Sequence, residues 1–309
     1  MAVARRALRR LLSLLPGGDR TLRAIDFARA DRYSPQKHLP GHYSSPLVDL
    51  RHLDGAAGAP ASAIAEREPG VLPVSREGHE GLLDDLGGFV ELHGEELLFS
   101  AGGRYRAANG WFGAADAALF AYMLHRERPR RVVEVGSGFS SAMLLDSADR
   151  FDLTTEMTFV EPFPERLEAL SRPADHARYR LLVERIENVP LGELEALEDG
   201  DFLFLDGSHV LRVASDLNWT LFEILPRLRA GVWIHFHDVF WPFDYPRSWF
   251  ERGFQWNEAY ALRAFLSYNR AFRVEIFLSY LQHLRPDWFA SAFRPDPTPA
   301  SSLWLRKVA

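Results

Sequence analysis

The sequence predicts an α/β fold: a mostly parallel, seven-stranded sheet with helices on both faces, preceded by an N-terminal cap segment. Three observations predict it. Short apolar runs rich in β-branched and aromatic residues recur at 131–136, 157–162, 179–183, 201–207 and 231–238. Helical stretches separate them, the alternation that produces a parallel sheet with helical crossovers. The first run ends in the turn Gly136, Ser137, Gly138, and later runs end in Glu161, Asp206, His237 and Asp238. Polar groups therefore collect at one edge of the sheet, where open α/β folds bind ligands.

Taken in chain order, the first element is a short basic stretch, Val3 to Pro16, in which Leu8, Leu11, Leu12 and Leu15 lie opposite Arg5, Arg6, Arg9 and Arg10. It is too short and broken for a secretory signal and reads as a terminal helix, whose basic face also suits weak contact with an anionic membrane surface. Residues 31–113, rich in Gly, Pro, Ala and His, read as loop with short apolar runs at 88–92 and 96–100. Within them 37–46 suits a lid, with His42 and Tyr43 as candidates, although a surface loop is the plainer reading. Ala114 to His125 is a strong helix pattern stopped by Pro129. The regular domain is thus 109–309, after a cap segment of 1–108. The last two runs, 272–280 and 302–307, have no obvious long helix between them and are expected to pair antiparallel at the sheet edge.

Composition narrows the function. A chain of 309 residues with 47% hydrophobic residues can bury a full core. The net charge of −6, with both signs interspersed, argues against a nucleic-acid partner. With no cysteine, any metal must be held by His, Asp or Glu, and a cytoplasmic location is the expectation. No run reaches the roughly 20 apolar residues that span a bilayer. Self-association is left open.

The glycine turn lets backbone approach a ligand closely and points helix N–H groups at it. Glu134 is an acid inside an apolar strand, where it must find donors or the ligand. Glu161, 25 residues after Gly136, is placed to accept from both ribose hydroxyls of an adenosine. The succession GluValGlySerGlyPheSerSer at 134–141, ValGluPro at 160–162 and PheLeuAspGlySerHis at 204–209 resembles the motifs of class I S-adenosylmethionine-dependent methyltransferases. The resemblance implies a Rossmann-like fold, the methionine part of the cofactor at the glycine turn, ribose at Glu161, and a polar group near adenine at about Ile186 and Glu187. It assigns Glu134, Gly136, Ser137, Gly138, Glu161, Glu187 and Asp206 to the cofactor. Ser140 stands where the commonest pattern has a third glycine. The competing nicotinamide fingerprint wants glycine where Ser141 stands, and Glu134 also favours the methyl donor.

Asp206 and His209 follow the fourth run, and His237 and Asp238 end the fifth. Neighbouring strands lie about 4.8 Å apart, so the two carboxylates repel unless a cation, a shared proton or donors intervene. A divalent metal such as Mg²⁺ or Mn²⁺ is one solution. The pattern resembles the macrocin and macrolide O-methyltransferase group, which implies Asp206 and Asp238 as metal ligands and His209 as base. His237 replaces an acid ligand of that group, giving the candidate set Asp206, His237 and Asp238, with His209 and Asp206 as the catalytic pair. A plainer reading makes His209 a helix cap. The resemblance spans about 109–306, including TrpAsnGluAlaTyr at 256–260, and extends to uncharacterised bacterial methyltransferases. It implies methyl transfer to a hydroxyl of a small metabolite or sugar-containing acceptor; a non-catalytic cofactor-binding protein is the alternative. The aromatics between Phe240 and Trp256 suit either an acceptor pocket or core packing, and His235 and His237 alternate along one strand, so both point to one face and one of them suits a hydrogen-bonded core residue.

Overall fold

The computed structural model describes residues 42–48, 50 and 76–309. The arginine-rich start and most of the 31–75 stretch lie outside the described residues. Residues 42–48 form a local turn in which the Ser45 amide donates to the His42 carbonyl at 2.7 Å and the His42 and Tyr43 rings stack at 4.4 Å.

Where loop was expected, Arg76–Gly94 forms a 19-residue helix, α1, continued by a π-helical turn at Glu95–Phe99. Leu82, Leu83, Leu86 and Phe89 make its buried stripe. Gly81, Gly87, Gly88 and Gly94 hide that period. Each costs about 1 kcal/mol against alanine in a helix, and burying each large apolar side chain returns about 1.5–3 kcal/mol. Helix α2, Ala114–Glu127, has alanine at five of its first eight positions, so it packs closely beneath the sheet. Arg128, in a left-handed conformation, ends it.

The described residues then alternate strand and helix: β1 Arg131–Val135, α3 Phe139–Phe151, β2 Glu156–Val160, α4 Glu165–Leu170, β3 Tyr179–Leu182, α5 Leu191–Glu195, β4 Phe202–Leu205. After α6 Asp216–Trp219, a π-turn and α7 Leu225–Arg227 comes β5 Trp233–Phe236. The chain closes with α8 Arg247–Glu251, α9 Glu258–Tyr268, β6 Phe272–Phe277, α10 Leu278–Leu284, α11 Pro286–Ala292 and β7 Leu303–Lys307. Sheet order is β3-β2-β1-β4-β5-β7-β6, with β1 to β5 parallel and β7 antiparallel to both of its neighbours. The expected antiparallel pair exists, but β7 inserts between β5 and β6, leaving β6 at the edge. The run at 272–280 is strand only to Phe277, and α10 and α11 fill the connection where no long helix was expected.

Both faces of the sheet are covered, which is why the central strand β4 is continuously apolar, whereas the edge strands β3 and β6 carry Arg180, Arg273 and Glu275. Phe202, Phe204 and Trp304 face α1, α2 and α3. Leu203, Leu205, Ile234 and Leu305 face the other layer, built from Leu221, Ile224, Leu262 and Leu266. Of the aromatics after Asp238, Phe240, Phe243 and Tyr245 are buried in this second layer and Trp241, Trp249 and Phe250 pack on it. No described helix is long and apolar enough to cross a membrane.

Candidate active site

The turn after β1 is strapped to both neighbouring strands. The Gly136 amide donates to the Val160 carbonyl at 3.1 Å and the Asp206 amide to the Val135 carbonyl at 2.9 Å. Gly136 has φ +86°, and a Cβ there would sit 1.8 Å from the Asp206 carbonyl oxygen, so only glycine fits. Glu161 accepts from the Ser137 amide at 3.0 Å and the Phe163 amide at 2.8 Å. Both of its oxygens retain lone pairs for further donors. The Ser137 hydroxyl is buried with no hydrogen-bond partner, and Glu187 lies beyond β3, paired with Arg185 at 2.9 Å. Glu134 turns inward: Ser140 and Ser141 donate their hydroxyls to its two oxygens, and it lines neither cleft described below. Burial pushes its carboxyl up to about 8, against the pull of the two hydroxyls.

Two adjoining clefts open over these strand ends. One, about 380 Å³, runs from Gly136 and Glu161 to Ile186 and Glu187. The other, about 190 Å³, is lined by Ser137, Gly138, Trp111, His209, Asp238 and Trp256 among others. Gly136, Glu161, Asp206 and Gly207 line both. A larger groove of about 520 Å³ lies at the opposite ends of β1 to β3, where its Arg131 and Arg180 are ion-paired. Ligands of open parallel sheets bind at the carboxyl ends, which favours the pair over the groove.

On the floor of the smaller cleft four side chains converge. His209 Nε2 lies 3.3 Å from Asp206 Oδ1 and 3.7 Å from Asp238 Oδ2. His237 Nδ1 lies 3.5 Å from Asp206 Oδ1 and 3.6 Å from Asp238 Oδ1. Asp206, His209 and Asp238 each offer a ligand atom within 4.8 Å of the others. Behind His209, Glu258 Oε2 is 2.7 Å from Nδ1, and Trp256 packs tilted against the ring with centroids 4.2 Å apart. Behind His237, Ser301 Oγ is 3.2 Å from Nε2 and Asp116 is 3.8 Å away. Asp116 also accepts from the Ser301 and Ser302 amides, tying the start of α2 to the entry of β7. His209 and Asp238 adopt φ +58° and +59°, left-handed conformations that cost about 1–2 kcal/mol each outside glycine. Such strain concentrates at functional sites, where surrounding contacts over-determine it.

Burial opposes charge on both imidazoles, yet the carboxylates win. Glu258 and Asp206 raise His209 well above the usual histidine range, and Asp238 and Asp206 do the same for His237. For Asp206, burial would raise the carboxyl, but His237 and His209 hold it well below the usual range. Burial raises Asp238 and Glu258 despite the imidazoles beside them. Protonated histidines would balance the charge of Asp206 and Asp238; a divalent cation there would supply the positive charge instead and leave the imidazoles neutral. The fit to such an ion is good, because the buried Nδ1 of His237 has no hydrogen-bond partner and faces both carboxylates.

Of the cofactor, catalytic and metal candidates all but Glu134 line these clefts, and Glu134 supports the turn from behind. His209 does not cap the following helix, α6, whose N-cap is Ser215; its carbonyl instead accepts from the Asn257 and Glu258 amides at the start of α9, at 3.1 and 3.2 Å. His235 points to the same face as His237 but is buried on Phe204 and Ser302, as expected of a core residue. Glu258, Asp116 and Ser301 escaped sequence reading. The TrpAsnGlu stretch at 256–258 was visible as a motif, without its partner.

Residues 133–239 match a family model described as a methyltransferase domain. An uncharacterized protein of Archaeoglobus fulgidus is 29% identical over 165 residues, covering 52% of this chain and 73% of its own. Among solved structures, SAH-bound PaMTH1 of Podospora anserina aligns with a TM-score of 0.43 at 17% identity over 78% of this chain and 100% of that one. The O-methyltransferase TomG of Streptomyces achromogenes, in complex with SAM, gives 0.40 at 14% identity over 81% and 95%. The methyltransferase-domain match at 133–239 thus falls on β1 to β5 of the seven-stranded sheet, the part of the chain that carries the glycine turn, Glu161, Asp206 and Asp238.

Proposed function

We propose that the protein methylates a hydroxyl oxygen of a small acceptor, with a divalent cation at Asp206, Asp238 and His237, and with His209 as the base. The observation that carries this reading is the convergence of two carboxylates and two imidazoles on the floor of a cleft of about 190 Å³ that adjoins the glycine turn. In this reading Glu161 and Glu187 hold the nucleoside, and Gly136, Ser137, Gly138 and Asp206 hold the amino-acid part. S-adenosylmethionine supplies an electrophilic methyl group and leaves as S-adenosylhomocysteine. A divalent cation, when bound, supplies Lewis acidity that lowers the pKa of an acceptor hydroxyl.

The chain's own residues move the proton. Glu258 accepts the Nδ1 hydrogen of His209, which fixes the tautomer and leaves Nε2 facing the cleft as acceptor for the hydroxyl proton. Trp256 and Phe112 wall the same cleft and limit water around the nascent oxyanion. A second reading makes His209 a metal ligand, because its Nε2 belongs to the compact trio with Asp206 and Asp238. His209→Ala separates the two. A base leaves metal affinity in place while turnover falls about 10²–10⁴-fold; a ligand loses metal affinity in parallel.

The test is an acceptor screen with S-adenosylmethionine, following S-adenosylhomocysteine and the methylated product by mass spectrometry. Product methylated on oxygen, with turnover abolished by chelation and restored by Mg²⁺ or Mn²⁺, supports the proposal. Methylation on nitrogen or carbon, or turnover indifferent to chelation, removes the corresponding half of it.

A further inference from the structure

Arg166 lies in α4, five residues beyond Glu161, and its side chain runs back across the glycine turn. A Cβ on Gly138 would lie 2.9 Å from its Cδ, 3.6 Å from its Cγ and 3.7 Å from its Nη1. The guanidinium rests on the indole of Trp111, 3.7 Å from the ring centroid. That platform is held in place, because Asn109 Oδ1 accepts from the Trp111 and Phe112 amides, each at 2.8 Å. Arg166 and Trp111 are exposed at the mouth of the smaller cleft. Several arginines around the sheet, among them Arg104, Arg130, Arg131 and Arg178, pair with carboxylates; among the described residues none pairs with Arg166.

A guanidinium laid flat on an aromatic ring keeps its edge N–H groups free and aligned, the arrangement that takes a carboxylate through two parallel hydrogen bonds. We propose that Arg166, oriented by Trp111, is a carboxylate-binding group of this site and takes the α-carboxylate of the methionyl part of S-adenosylmethionine. The inference rests on reading the paired clefts as the cofactor site. It follows from their continuity: Gly136 and Glu161 line both, and Arg166 lines only the one away from Glu187. A ligand with its nucleoside between Glu161 and Glu187 therefore meets Arg166 at its opposite end. The two glycines of the turn then serve different purposes. Gly136 admits the Asp206 carbonyl, and Gly138 makes room for the stem of Arg166.

An acceptor carboxylate is the other source of the same chemistry, and two probes distinguish the sources. S-adenosylhomocysteine carries the amino-acid group; 5′-methylthioadenosine has the same nucleoside and thioether without it. Calorimetric titration of both into the unmodified protein, Arg166→Gln and Trp111→Ala is the experiment. Because both side chains are exposed, the substitutions leave the core intact, and an unchanged melting temperature verifies this. Arg166→Gln is expected to weaken S-adenosylhomocysteine about 10–100-fold and 5′-methylthioadenosine less than about twofold. Trp111→Ala is expected to produce a smaller loss confined to S-adenosylhomocysteine. Equal weakening of both probes by Arg166→Gln, or weakening of neither, overturns the assignment, the second result leaving the carboxylate to the acceptor. If the unmodified protein binds neither probe, the cofactor-site reading itself fails and this inference falls with it.

Discussion

Glu134→Gln isolates one buried carboxyl whose energetics follow from its surroundings. Glu134 is fully buried, its two oxygens accept from Ser140 and Ser141, and burial lifts its carboxyl from 4.5 to about 8. The unfolded chain releases this proton near pH 4.5 while the folded chain holds it to about pH 8, so between those values the folded state binds more protons and stability falls as pH rises. At about 1.4 kcal/mol per pH unit, that interval corresponds to a total of about 5 kcal/mol. The full contribution is present below pH 4.5 and is gone once the pH has passed about 8. Glutamine keeps the shape and both hydroxyl partners but cannot ionise. Urea unfolding of both proteins from pH 4 to 9 should show wild type losing stability relative to Glu134→Gln by about 1.4 kcal/mol per pH unit, then levelling above about pH 8. Groups common to the two proteins cancel in that difference. A difference independent of pH would refute the reasoning, because it would mean that Glu134 titrates alike in the folded and unfolded chains.

Other expectations follow from single contacts. Glu258→Gln keeps an acceptor for His209 Nδ1 but removes the charge, so turnover should fall at least about 10-fold while S-adenosylhomocysteine affinity stays within about twofold, as steady-state kinetics and calorimetry will show. Gly136→Ala places a methyl 1.8 Å from a backbone oxygen at φ +86°. It should cost more than the about 1–2 kcal/mol of left-handed strain alone and abolish cofactor binding, both readable by urea titration and calorimetry. Arg104 bridges Asp146, Asp149 and Asp175 at 2.6 to 2.7 Å. Arg104→Ala leaves buried Asp175 only the Arg172 amide at 2.7 Å and Arg178 at 3.4 Å, and should lower unfolding stability by up to about 3–5 kcal/mol in urea titration.

The parallel strands were legible because the central ones, β1, β4 and β5, are buried on both faces and so form short, nearly unbroken apolar runs, while β3 at the edge keeps only part of that pattern. The order of the last two was not. Placing β7 between β5 and β6 is a tertiary choice, made by Leu303 and Leu305 packing in the layer of Val274 and Ile234, and no local pattern reports it. At Phe277 the apolar run passes from strand to α10 without a change in hydrophobicity, since both elements are buried. Helix α1 was masked by its glycines. In the site, Asp206, His209, His237 and Asp238 were legible because parallel strands bring their carboxyl ends together whatever the loops do. Glu258, 49 residues beyond His209, reaches it only because α9 returns over the sheet edge. Ser301 is 64 residues from His237 and meets it through β7 pairing with β5. Arg166 belongs to no motif, and its position depends on where its stem crosses Gly138. Of the lid candidates, Tyr43 is 94% exposed in a local turn, so its own surroundings assign it nothing further.

The most direct test of the central claim is calorimetric titration of the purified protein, stripped of metal, with S-adenosylmethionine, S-adenosylhomocysteine and NAD⁺, repeated with Mg²⁺ and Mn²⁺. The expected result is micromolar-range binding of the first two and none of NAD⁺, since Glu134 and Ser141 stand where a nicotinamide site would differ. Binding of NAD⁺ without either methionine-derived ligand would contradict the account and leave only the α/β fold.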